Sequence, residues 1–331
     1  MSRKSNLFGK VGRLSPFLLH PIRRLVLTHK RNKLLALAAS LLVVAPVSSG
    51  APLNIYSVNY PLKYFAKRIA AEHAVISFPA PRAVDPAFWW PDAKAVGAYQ
   101  TADLILLNGA GYAKWVNRVT LPQLRLVNTS AAFREHYISV DETVTHRHGP
   151  GGDHVHAGTA FNTWLDFDQA AQQAQAVAAA IERKRPASHA TFDSNYEALA
   201  KELRDLDAQL ASIVAQSANQ PLIASHPVYQ YMARRYALNV RSVLWEPDEM
   251  PSERQWAELA VLLQQHPAKW MIWESEPDAE VVERLRSMGL GTVVFDPCGN
   301  VPSQGDFMSV MRQNLQNLEV AFRQYAEPSD L

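Results

Sequence analysis

Four histidines, His146, His148, His154 and His156, fall within eleven residues around the run Gly149-Pro150-Gly151-Gly152. Neutral imidazole is a strong ligand for zinc and related metals, and clustering lets several rings reach one ion. The Gly-Pro-Gly-Gly centre cannot sustain a helix, so the segment reads as a loop that brings two His-x-His arms together. In an extended arm, residues i and i+2 share a face, so both imidazoles of an arm can turn toward one ion. A solvated loop with no ligand is the plainer alternative. Burial does not account for histidine in so polar a segment, so metal contact is the stronger reading.

Two further positions could join such a site. His226 follows the apolar run Leu222-Ile223-Ala224 and precedes Pro227, and Asp296 follows Thr292–Phe295 and precedes Pro297. Both therefore sit at the carboxyl end of a strand, where open α/β sheets bind ligands. Either residue alone could serve only as a helix cap. His73, His136, His189 and His266 stand singly among polar residues and read as surface or helix-end histidines. Cys298 is the only cysteine, which excludes an intramolecular disulfide and a Cys-based zinc finger, and it reads as a small buried hydrophobe.

The elements that must position these residues alternate in type. Strands are expected at Leu53–Val58, Ala74–Phe78, Leu104–Leu107, Leu124–Val127, Leu222–Ala224, Val240–Leu244, Trp270–Trp273 and Thr292–Phe295. Helical periodicity separates most of them, as in Pro61–Ala71, Trp256–Gln264 and Ala279–Met288. Such alternation predicts parallel sheets flanked by helices. Residues 189–217 break the rhythm: Tyr196, Leu199, Leu203, Leu206, Leu210 and Ile213 recur every three or four positions, which predicts one amphipathic helix of about 40 Å. It divides the strands into two sets of four. The fold expected is α/β, with two lobes of mainly parallel sheet joined by a long rigid helix that limits closure. The lobes are 51–188, with the His-rich loop 146–156, and 218–331, with 189–217 as the linking helix.

Charge and hydropathy place the protein in a compartment. Of 33 Lys and Arg in 331 residues, nine lie in the first 50, which hold no Asp or Glu. The remaining chain carries 24 basic against 31 acidic residues, and an acidic body argues against a nucleic-acid partner. The apolar run 34–47 is shorter than the ~20 residues that span a bilayer, and Ser48-Ser49-Gly50 supplies small residues beyond it. Residues 1–50 thus read as a cleavable secretory signal, and the mature chain as a soluble, monomeric periplasmic protein.

Several motifs then fall in one order: Asp85-Pro86-Ala87-Phe88-Trp89-Trp90-Pro91; Asn108-Gly109-Ala110-Gly111; Asn162-Thr163-Trp164-Leu165-Asp166; Ser225-His226-Pro227-Val228-Tyr229; Glu246-Pro247; and Phe295-Asp296-Pro297. With them the chain resembles the zinc/manganese-type substrate-binding proteins of ABC transporters over roughly residues 53–326. The resemblance implies two α/β lobes on a backbone helix, a metal ion as transported ligand, and an inner-membrane permease with its ATPase as partners. It also implies four ligand positions, here Ala87, Asn162, His226 and Asp296. Two of these cannot ligate as the usual histidines do. His148, His154 and His156, with His146 as a spare, are therefore expected to supply the missing imidazoles. Histidine at the third position goes with Zn2+ in the family, and imidazole donors with one carboxylate favour Zn2+ over Mn2+, while Ni2+ or Cu2+ would also accept them.

Capture of zinc without bond chemistry is the function expected. A binding protein for a metal chelate is the alternative, with Trp89, Trp90 and Trp164 lining a cleft widened by Ala87 and Asn162. A zinc hydrolase built on Asp166, Asp168, Glu246 and His226 is the third class; no HExxH, GxSxG or P-loop pattern supports it.

Overall fold

The computed structural model describes residues 51–140, 145–147, 153–155 and 158–326, with side chains over 51–140 and 158–323. The expected leader, 1–50, lies outside the described residues. The N-terminal lobe opens with β1 (Leu53–Ser57), α1 (Tyr60–Ala70), β2 (Ala74–Ser77), α2 (Ala93–Thr101), β3 (Leu104–Leu107) and β4 (Leu126–Asn128). An excursion follows: β5 (Ser139–Val140), β6 (Thr145–Arg147), β7 (Asp153–Val155) and β8 (Gly158–Thr159). Then come α3 (Phe167–Lys184) and the long α4 (His189–Ala215). The C-terminal lobe comprises β9 (Pro221–Ala224), α5 (Gln230–Tyr236), β10 (Asn239–Ser242), α6 (Glu253–Gln265), β11 (Trp270–Trp273), α7 (Ala279–Ser287), β12 (Gly291–Val294) and α8 (Phe307–Ala326).

Each lobe holds a four-stranded parallel sheet, in the orders β2-β1-β3-β4 and β10-β9-β11-β12. Helices cover the sheets, so the central strands are near-continuous apolar runs, Leu-Ile-Leu-Leu in β3 and Pro-Leu-Ile-Ala in β9. Helix starts are set by side-chain caps. Asn59 accepts from the Leu62 N–H before α1, Asp166 from Asp168 and Gln169 before α3, and Ser252 forms a capping box with Gln255 before α6. The strands lie within two residues of their expected bounds. The largest offsets are two residues, at the end of β10 and at the start of β4, where Gln123–Arg125 forms a 3-10 turn that the expected strand had partly absorbed.

The 27 residues of α4 span about 40 Å. Phe192, Leu199, Leu203, Leu206 and Leu210 are buried on one stripe, in a core that also contains Phe65, Phe295 and Phe307. The helix packs on α1 and α3 of one lobe and on α8 of the other. Its outer face is tied as well: Glu202 accepts from Arg68 of α1 at 2.5 Å and from Arg312 of α8 at 3.1 Å. One hydrophobic core thus runs through both lobes and the helix between them, which opposes large hinge motion.

The hydrogen bond from Arg68 is the main cause holding the Glu202 carboxyl below its ordinary range. A depressed carboxylate adds stability above its unfolded pKa and loses it as pH falls through the folded value. Glu202→Gln should cost about 1 kcal/mol at neutral pH, and the difference from wild type should begin to shrink as pH falls below the ordinary glutamate value of about 4.3 and be lost below the depressed folded-state value, as urea titrations would read. Small-angle scattering with and without zinc should show the same lobe separation within about 2 Å; a large closure would contradict a rigid strut.

Candidate metal centre

In the C-terminal sheet the chain leaves β9 for β10 on one side and returns to β11 on the other, so the crevice between the ends of β9 and β11 is a topological switch point. His226 stands two residues past β9, and Glu274 directly past β11. The His226 side chain is fully buried. Its Nδ1 lies 3.0 Å from Glu274 Oε1 and its Nε2 3.2 Å from Glu246 Oε1. A neutral imidazole donates from one ring nitrogen only. Two carboxylate contacts on one ring therefore call for a further proton within the group, or for a cation in its place.

Asp296 stands two residues past β12. Burial pushes its carboxyl above the ordinary range, opposed by the Cys298 backbone N–H, which donates to Oδ1 at 2.6 Å. Asn314 of α8 fixes the Asp296 backbone from both sides, accepting from its N–H at 3.0 Å and donating to its carbonyl at 2.7 Å. Burial, then the carboxylates of Glu274 and Asp296, drive the Tyr229 phenol far above its usual pKa, and its hydroxyl donates to Phe295 O at 2.8 Å.

These groups border a cleft of about 500 Å³ between the lobes. Glu246, Asp248, Glu274, Glu276 and Asp296 line it from the C-terminal side, with His226 behind the first and third. The N-terminal wall is largely neutral: Phe88, Tyr112, Phe161, Asn162 and Trp164, with Asp85 and Arg82. Six carboxylates against one guanidinium make a cation the fitting occupant. Hydrogen bonds cross the cleft. Trp164 Nε1 donates to Pro297 O at 2.7 Å, Asn162 Nδ2 to Val228 O at 3.2 Å, and Asn300 Nδ2 to Pro81 O and Val84 O at 2.8 Å each.

Of the two strand-end residues expected from sequence, Asp296 lines the cleft, and His226 is buried behind its lining acids Glu246 and Glu274. Ala87 is buried and does not line the cleft, whereas Asn162 does. His148 and His156 lie outside the described residues, and only the backbone is described for His146 and His154, which face each other in the antiparallel β6–β7 register. Among the described residues, no group of three or more His, Cys, Asp or Glu side chains is arranged to hold a metal ion.

Glu246, which the sequence offered in the hydrolase set and not among the metal ligands, contacts His226. Glu274 was missed; the strand-end rule that singled out His226 and Asp296 also applies to it, directly after Trp270–Trp273. The hydrolase constellation does not assemble. Asp166 caps α3 and Asp168 bonds Gln172, and neither lines the cleft. His266 is a helix-end residue as expected but a buried one, its Nε2 3.0 Å from Leu222 O. Of the three tryptophans offered as cleft lining, only Trp164 serves; Trp90 is 61% exposed and Trp89 packs edge-on against Trp115.

Comparison with known proteins gives the same outline. The family described as zinc-uptake complex component A, periplasmic, matches residues 55–321. The zinc-binding lipoprotein AdcA of Streptococcus pneumoniae (strain R6) is 25% identical over 305 residues, covering 88% of this chain and 60% of its own length. The high-affinity zinc uptake system protein ZnuA of Bacillus subtilis is 24% identical over 294 residues, covering 82% of this chain and 88% of its own. The chain therefore spans about 60% of the length of the pneumococcal relatives it matches. Among solved structures, the metal-dependent lipoprotein YcdH of Bacillus subtilis superimposes with a TM-score of 0.69 at 22% identity, over 81% of this chain and 98% of that one. The Zn(II)-bound ZnuA-like domain of Streptococcus pneumoniae AdcA gives 0.69 at 21%, over 82% and 99%. Both show the two-lobe fold.

Trp164→Phe keeps a ring in the cleft wall but removes the N–H that reaches Pro297. It should lower the unfolding free energy by about 2 kcal/mol, through the lost bond and the smaller ring. Unchanged urea stability would mean that this bond does not hold the lobes together.

Proposed function

The chain belongs to the family of periplasmic zinc-uptake component A proteins, and on that premise we propose that it captures a zinc ion between its lobes and hands it to an ABC permease driven by its ATPase. The observation that carries the reading is the buried His226 held between Glu246 and Glu274 behind the wall of an acidic cleft. Such a group presents nitrogen and oxygen donors to a divalent cation at a position where the sheet itself opens. The cation is cargo. No bond of a substrate is made or broken, and the acids serve as donors and counter-charge.

His226 and Asp296 hold the ion from the C-terminal lobe, with Glu246 and Glu274 within reach of the same ring. The N-terminal positions Ala87 and Asn162 offer no imidazole, so His148, His154 and His156, with His146 in reserve, complete the set. Zinc suits this mixture of imidazole and carboxylate, and Mn2+ would be favoured only if the carboxylates alone bound it. The site of action is the periplasm, reached through the leader 1–50. Gathering the charges of this cleft without a cation is costly, so zinc binding should also raise thermal stability.

Titration calorimetry tests the assignment. His226→Ala, and Glu274→Gln beside it, should weaken zinc binding by more than about 100-fold and about 10-fold respectively, the second in the range of groups that orient a ligand. His189→Ala, on the exposed start of α4, should leave the affinity unchanged. Equal affinities for all three chains would remove His226 from the site.

A further inference from the structure

A strut that opposes hinge motion leaves two braced walls, so a cation reaches the space between them only through a local movement. The connection from β2 to α2 is placed for one. Residues 78–92 contain neither helix nor strand, and a connection of that length without secondary structure is most often a lid or a binding loop. Its later half is fastened to its own lobe. Phe88 meets Phe161 edge-on and lies 5.9 Å from Lys114 Nζ, and Trp89 packs on Trp115. Its earlier half, Arg82 to Asp85, lines the cleft and is tied across it.

The tie is Asn300 of the C-terminal lobe. Its Nδ2 donates to Pro81 O and Val84 O at 2.8 Å each and lies 3.4 Å from Arg82 O. Its Oδ1 accepts from the Val301 N–H at 2.7 Å, which fixes the amide with its donors toward the other lobe. Arg82 Nη1 adds a bond to Pro302 O at 3.3 Å. Burial does not demand these bonds: Asn300 is half-buried, Pro81 and Arg82 are exposed, and water could satisfy each group. The segment before Asn300 is itself held by the N-terminal lobe, with Pro297 O accepting from Trp164 Nε1 and Gly299 O from the Tyr60 N–H at 3.0 Å. Asn300 is therefore the fixed partner. The strap closes turns of its own, Val84 N–H to Pro81 O at 3.2 Å and Phe88 N–H to Asp85 O at 3.1 Å, and belongs to no sheet or helix, so it is the partner that yields.

We propose that residues 81–85 form a lid on the cleft and that Asn300 is its latch, setting the rate at which a cation enters and leaves. The proposal rests on the reading that the cleft holds zinc as cargo, and it adds the route and the residue that controls passage. A latch acts on entry and exit together. Their ratio, the affinity, stays nearly constant because Asn300 is not among the ligands.

The test compares the full wild-type chain with Asn300→Ala and with a control, Asn195→Ala. The control removes a bond of the same kind, Asn195 Nδ2 to Ile69 O at 3.0 Å, far from the cleft lining. Zinc dissociation is read by stopped flow against excess chromophoric chelator, and affinity by competition at equilibrium; their quotient gives the entry rate. Asn300→Ala should speed both rates about tenfold with affinity within about threefold of wild type, as expected of a gate. Without zinc, hydrogen exchange of the peptide spanning 81–88 should also quicken about tenfold in Asn300→Ala and stay unchanged in Asn195→Ala. Unchanged dissociation or unchanged exchange in Asn300→Ala overturns the latch and leaves zinc capture standing. So does faster exit without faster entry, which is a plain loss of affinity, or an equal acceleration in the control. A wild-type chain that binds no zinc overturns the capture reading and the gate with it.

Discussion

One fully buried imidazole pressed between two carboxylates is the constraint on which the C-terminal lobe depends. Bringing such groups out of water is expensive, and mutual attraction offsets the cost only where geometry is held closely. The sheet provides that hold. His226 and Glu274 leave adjacent parallel strands, β9 and β11, whose register is fixed by the pairs Met271–Ile223 and Ile272–Ala224. Behind them stands a second, smaller core of Trp245, Trp256, Leu259, Met271 and Trp273. Trp245 immediately precedes Glu246 and Trp273 immediately precedes Glu274, so each acid is set by a large side chain locked one residue earlier. The polar cluster is precise because the apolar layer beneath it cannot shift.

The strut transmits the same rigidity outward. With a 27-residue helix shared by both lobes, and with Trp164, Asn162 and Asn300 bonding across the cleft, the two walls are braced against each other. A site of this kind discriminates by the donors it presents rather than by closing around whatever enters.

Much of this scaffold was legible in the sequence because parallel strands buried on both faces are continuous apolar runs, and α4 repeats Leu at helical spacing. The 3-10 turn at Gln123–Arg125 was not, since Leu124 is 98% exposed and only tertiary context shows that its apolar side chain faces water. The site was legible in part. His226 and Asp296 announce themselves by following apolar runs and preceding proline. Glu246 does not, because a loop of irregular backbone separates it from β10 and no periodicity reports where such a loop leads. Glu274 follows an apolar run as His226 does, but Ser275 and not proline comes after it. His266 misleads for the opposite reason: its neighbours in sequence are polar, and its burial comes from the distant Leu222 carbonyl.

The two lobes share a plan that explains why the chemistry is lopsided. Asn59 stands two residues past β1 and Asn108 directly past β3, the same offsets as His226 from β9 and Glu274 from β11. Asn59 Nδ2 donates to Asn108 Oδ1 at 3.1 Å, across the switch point of the N-terminal sheet. That pair belongs to a buried amide and hydroxyl network, in which Asn108 also donates to Phe161 O and Gln173 donates to both Asn108 and Thr129. At matching places in the two sheets, one lobe therefore carries neutral groups that satisfy each other and the other carries an imidazole with an acid. A satisfied amide network is a poor metal ligand and a good brace, and this one braces the segment 161–164 that forms the cleft wall. The N-terminal lobe thus shapes the cleft and the C-terminal lobe charges it.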